Sequence, residues 1–351
     1  MSLRIAIAGA GLLGRLFALH LARAGHAVRV FDPAPDAQAR GAAGWTAAGM
    51  LSPVAELECA DEQVFALGLR SLALWPALVA SLPSPVDLRF AGSLLLAHRG
   101  DEGAARRVID LLAAKAPAGR APQPVTGEQL RELEPDVQRM AHAWLLPGEG
   151  QIDTVQAMAA LAEAAAAAGA RFHWSRPVES LGAGWVQAAG ERTEADWVID
   201  VRGTGARPEQ PVRGVRGEII HLHAPGLHLN RPLRLLHPRH RVYIVPRTGD
   251  RIVVGASEIE SEDRSPISVR SIVELLTAAH SVLPALAEAR LLHTDTNLRP
   301  ALPDNLPELR CAPGMLEVNG LFRHGWLIAP ALVEEGLARL GVAGATDGNP
   351  P

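Results

Sequence analysis

The stretch Leu3–Asp32, LRIAIAGAGLLGRLFALHLARAGHAVRVFD, contains the pattern that decides the fold. Alternating apolar residues at its start predict a short strand, which runs directly into a glycine-rich turn at 9–14. Apolar residues at helical spacing follow and predict a helix, and 27–31 predicts a second strand that leads to Asp32. The stretch therefore predicts a strand–helix–strand unit with an acid at the end of the second strand.

The glycine spacing of this unit is typical of dinucleotide binding. The first glycine allows a tight turn, the second lets the backbone approach a pyrophosphate, and the third lets the helix pack close to the strand. The helix N-terminus directs N–H groups at the phosphate charge, and the acid accepts ribose hydroxyls. A secretory signal peptide, the alternative for an apolar N-terminal segment, is disfavoured by the glycine spacing and the second strand. The predicted contacts are Gly9, Gly11, Leu12, Leu13, Gly14 and Asp32.

The composition of the whole chain excludes several classes of protein. Its 351 residues are 48% hydrophobic and carry a net charge of -4, which is typical of a soluble globule and gives no reason to expect nucleic acid as a partner. We find no apolar run of membrane-spanning length and expect a cytoplasmic protein with no membrane partner. Cys59 and Cys311 are too few for a disulfide framework or a zinc cage. Lys115, the only lysine, lies in an Ala-rich segment, which disfavours Schiff-base chemistry.

The segment 41–53 is rich in small residues and lacks a regular period. Such a segment suits a close approach of the backbone to a flat ligand. A flexible linker is the alternative, which Trp45 and Met50 disfavour because they are too apolar for a linker. Further along, 153–168 predicts a long Ala-rich helix, and 212–256 predicts a series of antiparallel strands. Because the two kinds of segment alternate along the chain, we predict two discontinuous domains with a ligand between them.

Four sets of residues resemble the glycine oxidase branch of the D-amino-acid oxidase superfamily, whose members hold FAD on a Rossmann-like domain. They are spread over nearly the full length, and their combination is more specific than any one of them. The matching segments are the glycine triplet with Asp32, 46–51, 242–247 with 253–256, and 298–304 with 322–330.

The resemblance implies an α/β fold, in which a Rossmann-like FAD-binding domain is joined to a second, antiparallel-sheet α+β substrate domain. We predict the FAD-binding domain at 1–84, 147–211 and 297–342, the substrate domain at 85–146 and 212–296, and a disordered tail at 343–351.

The resemblance also implies contacts to FAD beyond the glycine-rich turn. The backbone at 46–50 is expected to line the isoalloxazine ring, Val178 to contact the adenine, and 325–328 to cover the pyrimidine edge of the flavin. Asn297 lies close to where some amine-oxidising relatives attach the flavin through cysteine, so FAD is expected to be non-covalent. The further predicted contacts are Thr46, Ala47, Ala48, Gly49, Met50, Val178, Gly203, Arg323, His324, Gly325, Trp326, Leu327 and Ile328.

Three residues, Arg299, Tyr243 and Arg323, match family positions that contact the substrate or the flavin. An oxidase of this kind transfers a hydride equivalent from the substrate α-carbon to flavin N5, so the protein mainly positions the substrate. Arg299 is expected to clamp the substrate carboxylate, and Tyr243 to add a hydroxyl hydrogen bond to it. Arg323 is expected to assist the carboxylate or to stabilise negative charge on the flavin. The alternatives are a surface ion pair for Arg299 and a packed aromatic for Tyr243.

Some residues depart from the family pattern. Glu258 stands where relatives tend to carry an apolar pocket residue, and its carboxylate would oppose an anionic substrate unless it pairs with the amine or points away. Leu321 and His324 replace a more usual histidine and asparagine around Arg323. The segment 200–205 carries two charges where neutral residues are more common. Because of these departures, the resemblance does not determine the exact substrate. It still implies FAD as the cofactor.

The resemblance implies oxidative deamination of glycine or a small D-amino acid or amine. The imine would hydrolyse to a keto or aldehyde acid and ammonia, O2 would be reduced to H2O2, and the imine could serve thiazole synthesis for thiamine. One alternative is a dehydrogenase with the same half-reaction that reduces a quinone or a dye. Another is a catalytically silent dinucleotide-binding protein. The sequence does not determine the oligomeric state, and a homo-oligomer is among the alternatives.

Overall fold

The computed structural model describes residues 2–138, 140–237 and 242–342. The α-helices in these ranges are α1 (Leu12–Arg23), α2 (Pro53–Glu56), α3 (Glu62–Ala80), α4 (Glu102–Lys115), α5 (Gly127–Leu133), α6 (Thr154–Ala167), α7 (Val269–Val282) and α8 (Gly325–Arg339). The predicted disordered tail at 343–351 lies outside the described residues.

The strands in the same ranges vary from two to twelve residues in length. They are β1 (Arg4–Ala8), β2 (Ala27–Phe31), β3 (Met50–Leu51), β4 (Leu88–Arg89), β5 (Ser93–Ala97), β6 (Gln123–Val125), β7 (His142–Leu146), β8 (Gly150–Ile152), β9 (Arg171–His173), β10 (Val178–Gly182), β11 (Trp185–Ala188), β12 (Glu191–Glu194), β13 (Trp197–Asp200), β14 (Arg213–His223), β15 (Leu233–Leu235), β16 (Val242–Arg247), β17 (Arg251–Gly255), β18 (Arg290–Ala301), β19 (Glu308–Ala312) and β20 (Met315–Asn319).

One sheet is mainly parallel and has six strands in the order β19-β20-β13-β1-β2-β9. Strand β1 lies at its centre, with Ile7 opposite Val30 of β2 and Ile199 of β13. Only β19 runs antiparallel to its neighbour. Helix α1 packs against both α6 and α8, and Leu16 and Phe17 of α1 are fully buried in their shared core. The parallel, Rossmann-like half of the predicted fold is confirmed.

Helix α1 can approach strand β1 closely because both elements have a glycine at the contact. A Cβ atom on Gly14 would lie 1.9 Å from the carbonyl oxygen of Gly9. Gly9 itself has a φ of +103°, a backbone conformation that side chains other than glycine rarely adopt. The turn between β1 and α1 therefore requires glycine at both positions.

The other large sheet has eight strands in the order β18-β14-β17-β16-β15-β5-β7-β6. Its neighbours run antiparallel except β15 and β5, which are parallel. Helix α7 covers one face, where Leu275 and Ala279 share a core with Ile220 and Val254 of the sheet. The antiparallel α+β half of the predicted fold is confirmed as well.

The chain passes between the two sheets several times. Strands of the parallel sheet come from 4–31, 171–200 and 308–319, and those of the antiparallel sheet from 93–146 and 213–301. Strand β18 continues through the point at which the sequence placed a domain boundary, between residues 296 and 297. The exact residue limits of the domains stay a prediction.

Helix α3 is long and apolar enough to cross a membrane by length and composition, with a mean hydropathy of 1.4 over eighteen residues. The expectation that no segment reaches this length is therefore wrong. A single helix of this kind is weak support for a membrane span, since core helices pass the same test. In this chain, Trp75 Nε1 donates to the Trp326 carbonyl at 3.1 Å, and Ser71 Oγ accepts from the Ala331 N–H at 3.1 Å. Helix α3 thus packs against α8.

Replacing Gly14 by alanine should destabilise the fold, because the new Cβ would collide with the backbone of Gly9. Relief of this clash requires α1 to move away from β1, so we expect the free energy of unfolding to fall by about 2 kcal/mol. Thermal unfolding of the purified protein, followed by far-UV circular dichroism, measures the change as a lower melting temperature. Gly103→Ala in α4, where a Cβ meets nothing within 4 Å, is the control and should not lower it. An unchanged melting temperature for Gly14→Ala would contradict the close packing.

Candidate active site

A cavity of about 1140 Å³ lies where the two large sheets meet. The glycine-rich turn, the loop before β3 and the start of α8 line one part of it, and β14, β16 and β18 line another. Of the residues predicted from the sequence, the cavity is lined by Gly9, Gly11, Leu12, Leu13, Asp32, Thr46, Ala47, Ala48, Gly49, Met50, Val178, Gly203, Tyr243, Arg299, Arg323, His324, Gly325, Trp326 and Leu327.

Two of the predicted contacts, Gly14 and Ile328, lie behind the cavity wall. Gly14 faces the Gly9 carbonyl, which fits the packing role predicted for its position. Ile328 is fully buried among the apolar side chains of the core that α1 shares with α8. Its side chain does not line the cavity, and a contact of Ile328 with the flavin through the start of α8 stays a prediction.

The N-terminus of α1 and the end of β2 form one end of the cavity. Gly11 is the N-cap residue and supplies no side-chain cap, so the first-turn N–H groups of α1 are free to receive an anion. Asp32 accepts from the Ala10 N–H at 2.6 Å and from the Ala34 N–H at 2.8 Å, one hydrogen bond on each carboxylate oxygen. Each oxygen keeps a lone pair for a ribose hydroxyl.

Arg15 supports this end of the cavity from inside the fold, and the sequence analysis missed it. Its Nε donates to the Ala10 carbonyl at 2.8 Å, and its Nη1 donates to the Met158 carbonyl at 2.6 Å. Burial lowers the pKa of Arg15 to about 10, although the nearby Asp32 acts in the opposite direction. The apolar spacing that predicts α1 contains no signal for the burial of a charged side chain at this position.

The loop at 41–50 is packed rather than flexible, so the linker interpretation is wrong. Trp45 is only 2% exposed, and the Gly44 carbonyl accepts from Trp326 Nε1 at 2.9 Å. Asn297 Nδ2 donates to the Ala42 carbonyl at 3.1 Å. Gly49 has a φ of +63°, and a Cβ there would lie 2.1 Å from the Ile152 carbonyl oxygen. These contacts hold the backbone of the loop against the cavity.

Arg299 projects from β18 over the neighbouring strand β14. A Cβ on Gly217 would lie 2.5 Å from its Nη2, so the guanidinium occupies the space that this glycine leaves. Arg299 donates to the Arg216 carbonyl at 3.3 Å and to the Ser257 carbonyl at 3.0 Å. Within the described part of the chain it forms no ion pair with a carboxylate. Burial lowers its pKa, against the raising effects of Tyr243 and Glu258.

Tyr243 lies on the same face of the sheet, over strand β17. Its hydroxyl oxygen would lie 2.6 Å from a Cβ on Gly255, which is paired with Tyr243 across the strands. Among the described residues the hydroxyl has no hydrogen-bond partner. Burial raises the pKa of Tyr243, and nearby arginines, Arg299 first among them, only partly offset this. The phenol is therefore protonated at neutral pH and available as a donor.

Arg323 belongs to a charged cluster around the buried carboxylate of Glu56. Glu56 lies 3.1 Å from Arg323 Nε, 2.5 Å from Arg234 Nη2 and 3.2 Å from His324 Nδ1. Burial alone would raise the pKa of Glu56, but Arg323 and Arg234 hold it well below its usual range. Glu56 in turn raises the pKa of Arg323. Arg323 also lies 3.6 Å from Glu258, so it has two carboxylate partners.

The sequence analysis missed Glu56 and Arg234, although both line the cavity. They come from α2 and β15, which are far apart in the chain and meet only in the folded protein. No spacing in the sequence relates them. An ion pair between distant segments leaves no periodic signal.

The model of a family described as FAD dependent oxidoreductase matches residues 4–335 of this chain. The chain belongs to this family. Its cofactor is accordingly FAD, and it is an oxidoreductase of the D-amino-acid oxidase and glycine oxidase type.

Individual members of the family are similar to this chain over nearly their whole length. A Rhizobium etli protein whose name proposes it as the thiamine biosynthesis oxidoreductase ThiO is 39% identical over 341 residues, 96% of each chain. The crystal structure of glycine oxidase from Geobacillus kaustophilus superposes with a TM-score of 0.86 at 28% identity, covering 99% of this chain and 96% of that one. Iminodiacetate oxidase from Chelativorans sp. BNC1 superposes with a TM-score of 0.82 at 25% identity, covering 98% and 97%.

The residues present fit the FAD that the family requires. The uncapped start of α1 suits the negative pyrophosphate, and Asp32 suits a ribose. The loop lines the cavity with small residues, Ala47, Ala48 and Gly49, which suits a flat ring lying against the backbone. The FAD-dependent oxidoreductase therefore has residues that suit the pyrophosphate, a ribose and the flat ring of its cofactor.

Replacing Asp32 by alanine should weaken FAD binding. The change removes a charged acceptor for the ribose and leaves the Ala10 and Ala34 N–H groups without their acceptor. We expect the dissociation constant of FAD to rise by roughly 10- to 100-fold, since hydrogen bonds to charged groups contribute about 1.5–3 kcal/mol. Titration of the apoprotein with FAD, followed by flavin fluorescence, measures it. Asp36→Ala, which removes an exposed acid that accepts from the Gln38 N–H, is the control. Equal affinities for wild type and Asp32→Ala would contradict the assignment.

Proposed function

We propose that the protein catalyses oxidative deamination of glycine or another small amino acid or amine, with O2 as the electron acceptor. For glycine, the substrate with water and O2 would yield glyoxylate, ammonia and H2O2, through hydrolysis of an imine. The FAD is bound non-covalently in this proposal, and the protein works in the cytoplasm.

The observation that carries the proposal is the guanidinium of Arg299, which faces the cavity without a carboxylate partner among the described residues. An arginine in this state offers a two-pronged site for a carboxylate. The Tyr243 hydroxyl lies on the same wall and has an unused donor. An α-amino acid is a small molecule that presents a carboxylate next to the carbon to be oxidised.

The residues act by positioning rather than by acid–base chemistry. Bound FAD would supply the redox chemistry, namely the capacity to take a hydride equivalent from the α-carbon. Arg299 binds the substrate carboxylate, and Tyr243 donates a further hydrogen bond to it, which fixes the direction of the α-carbon. Arg323, held in place by Glu56, adds positive charge to the same wall.

The similar proteins support this choice of substrate. One is named glycine oxidase, and another carries a name that refers to thiamine biosynthesis. We accordingly propose that the imine, or the acid formed from it, serves thiamine biosynthesis. Within the chain, the guanidinium of Arg299, which has no carboxylate partner among the described residues, suits a substrate with a carboxylate.

Anaerobic mixing of the purified holoenzyme with small amino acids tests the reaction class. We expect glycine or a small D-amino acid to bleach the flavin absorbance, and readmitted O2 to restore it with formation of H2O2. Recovery with a quinone or a dye but not with O2 would favour a dehydrogenase over the proposed oxidase. A flavin that no amine reduces would contradict the proposed function.

Replacing Arg299 by alanine should raise KM for the amino acid by roughly 100-fold or more while the flavin is retained, because a buried charge partner of the carboxylate is lost. Steady-state kinetics with O2 consumption as the readout measure this change. Arg290→Ala, at the exposed start of the same strand, is the matched control and should leave KM unchanged. An unaltered KM in Arg299→Ala would remove this residue from carboxylate binding.

Replacing Tyr243 by phenylalanine should have a smaller effect, because only one hydroxyl hydrogen bond is lost while the ring stays over Gly255. We expect KM to rise about tenfold, in line with a single hydrogen bond to a charged group. Binding of a carboxylate inhibitor, measured from its perturbation of the flavin spectrum, should weaken by the same factor. Equal inhibitor affinity in wild type and Tyr243→Phe would show that the hydroxyl does not contact the carboxylate.

A further inference from the structure

The two arginines that face the substrate region differ in their carboxylate partners. Arg299 has none among the described residues, whereas Arg323 has two, Glu56 at 3.1 Å and Glu258 at 3.6 Å. Glu56 is buried and shared with Arg234. Glu258 is about half exposed, and its carboxylate is close enough to Arg299 to affect the pKa of that residue. The guanidinium of Arg299 is thus available to a ligand, whereas that of Arg323 is already paired.

Glu258 is held at the cavity by its backbone neighbours. The Ser257 N–H donates to the Glu218 carbonyl at 3.2 Å, and Ile259 exchanges two backbone hydrogen bonds with Arg216 at 2.9 and 3.0 Å. Both flanking residues are therefore fixed to strand β14, which also carries the glycine beneath Arg299. The backbone of Glu258 is therefore held in place, and its side chain lines the cavity.

The charged side chains around Arg299 match a ligand with one carboxylate. The guanidinium groups of Arg234, Arg299 and Arg323 outnumber the carboxylates of Glu56 and Glu258 by one, and Arg299 is the one that has no ion-pair partner among the described residues. A second carboxylate on the substrate would find its nearest remaining cation, Arg323, already paired with Glu258. It would also approach the negative charge of Glu258 itself, which is repulsive at this range.

We propose that Glu258 is a specificity-determining residue that restricts the site to amino acids and N-alkyl amino acids with one carboxylate, and that it excludes dicarboxylic ones by occupying Arg323. This inference rests on the proposed role of Arg299 as the carboxylate site. Glu258→Gln keeps the length of the side chain and removes its charge, while Glu56 still holds Arg323 at Nε. The outer edge of Arg323 then becomes available to a second carboxylate.

Two unreactive ligands of matched shape test the proposal in the holoenzyme. Methoxyacetate and oxydiacetate share an ether oxygen, and they differ in that only the second carries a second carboxylate. Their dissociation constants follow from perturbation of the flavin absorption spectrum, without turnover. We expect Glu258→Gln to bind oxydiacetate roughly tenfold more tightly relative to methoxyacetate than wild type does. Glu258→Asp should retain most of the wild-type discrimination.

Glu260→Gln is the matched control, because Glu260 lies two residues further along and pairs with Arg213 instead. Its ratio of dissociation constants should equal that of wild type. A second readout compares kcat/KM for iminodiacetate and N-methylglycine, and Glu258→Gln should shift this ratio in favour of iminodiacetate.

The outcomes separate this inference from the proposed function. If wild type binds methoxyacetate and Arg299→Ala loses it, but Glu258→Gln leaves the ratio of dissociation constants unchanged, the role of Glu258 is overturned and the carboxylate site stands. An equal change of this ratio in Glu260→Gln also overturns the role of Glu258, since removal of any nearby negative charge would then have the same effect. If methoxyacetate binds equally to wild type and Arg299→Ala, both the carboxylate site and the inference fail.

Discussion

Strand β18 sets the distance between the loop at 41–50 and the guanidinium of Arg299, and the remainder of the proposed site depends on it. Asn297 Nδ2 donates to the Ala42 carbonyl at 3.1 Å and to Thr46 Oγ1 at 3.2 Å, which ties the loop to the strand. Arg299 follows two residues later on the same face, about 7 Å along the strand. In the proposed reaction the reacting atoms must be held about 3–3.5 Å apart, and one strand contacts the loop and carries Arg299.

The available guanidinium of Arg299 is costly for the fold and useful for binding. Two carbonyl oxygens accept from it, but no carboxylate among the described residues balances its charge, and burial lowers its pKa. Gly217 and Gly255, on adjacent strands, leave the space in which Arg299 and Tyr243 lie on the sheet. A bound carboxylate would restore the missing partner. The site is thus prepared for an anion before the ligand arrives.

Local sequence patterns were sufficient to predict helices and strands. They could not predict which charged residues from distant segments form ion pairs. The helix predicted at 153–168 is present as Thr154–Ala167, because its apolar spacing and its Asp153 cap act within a few residues. The family resemblance placed Arg299 and Tyr243 at the cavity. It did not contain the ion pairs of Glu56, which depend on contacts between α2, β15 and the segment before α8.

Residue type alone does not distinguish the arginines of this cavity, whereas their carboxylate partners do. Glu56 raises the pKa of Arg323, while burial without a carboxylate lowers that of Arg299. A ligand carboxylate at Arg323 must compete with two protein carboxylates, and one at Arg299 competes only with carbonyl dipoles. Since competition with a full charge is much stronger than with a dipole, we expect a ligand carboxylate to bind at Arg299 rather than at Arg323. The proposed orientation of the substrate then follows from which guanidinium has no carboxylate partner, and Glu56 and Glu258 determine this by pairing with Arg323.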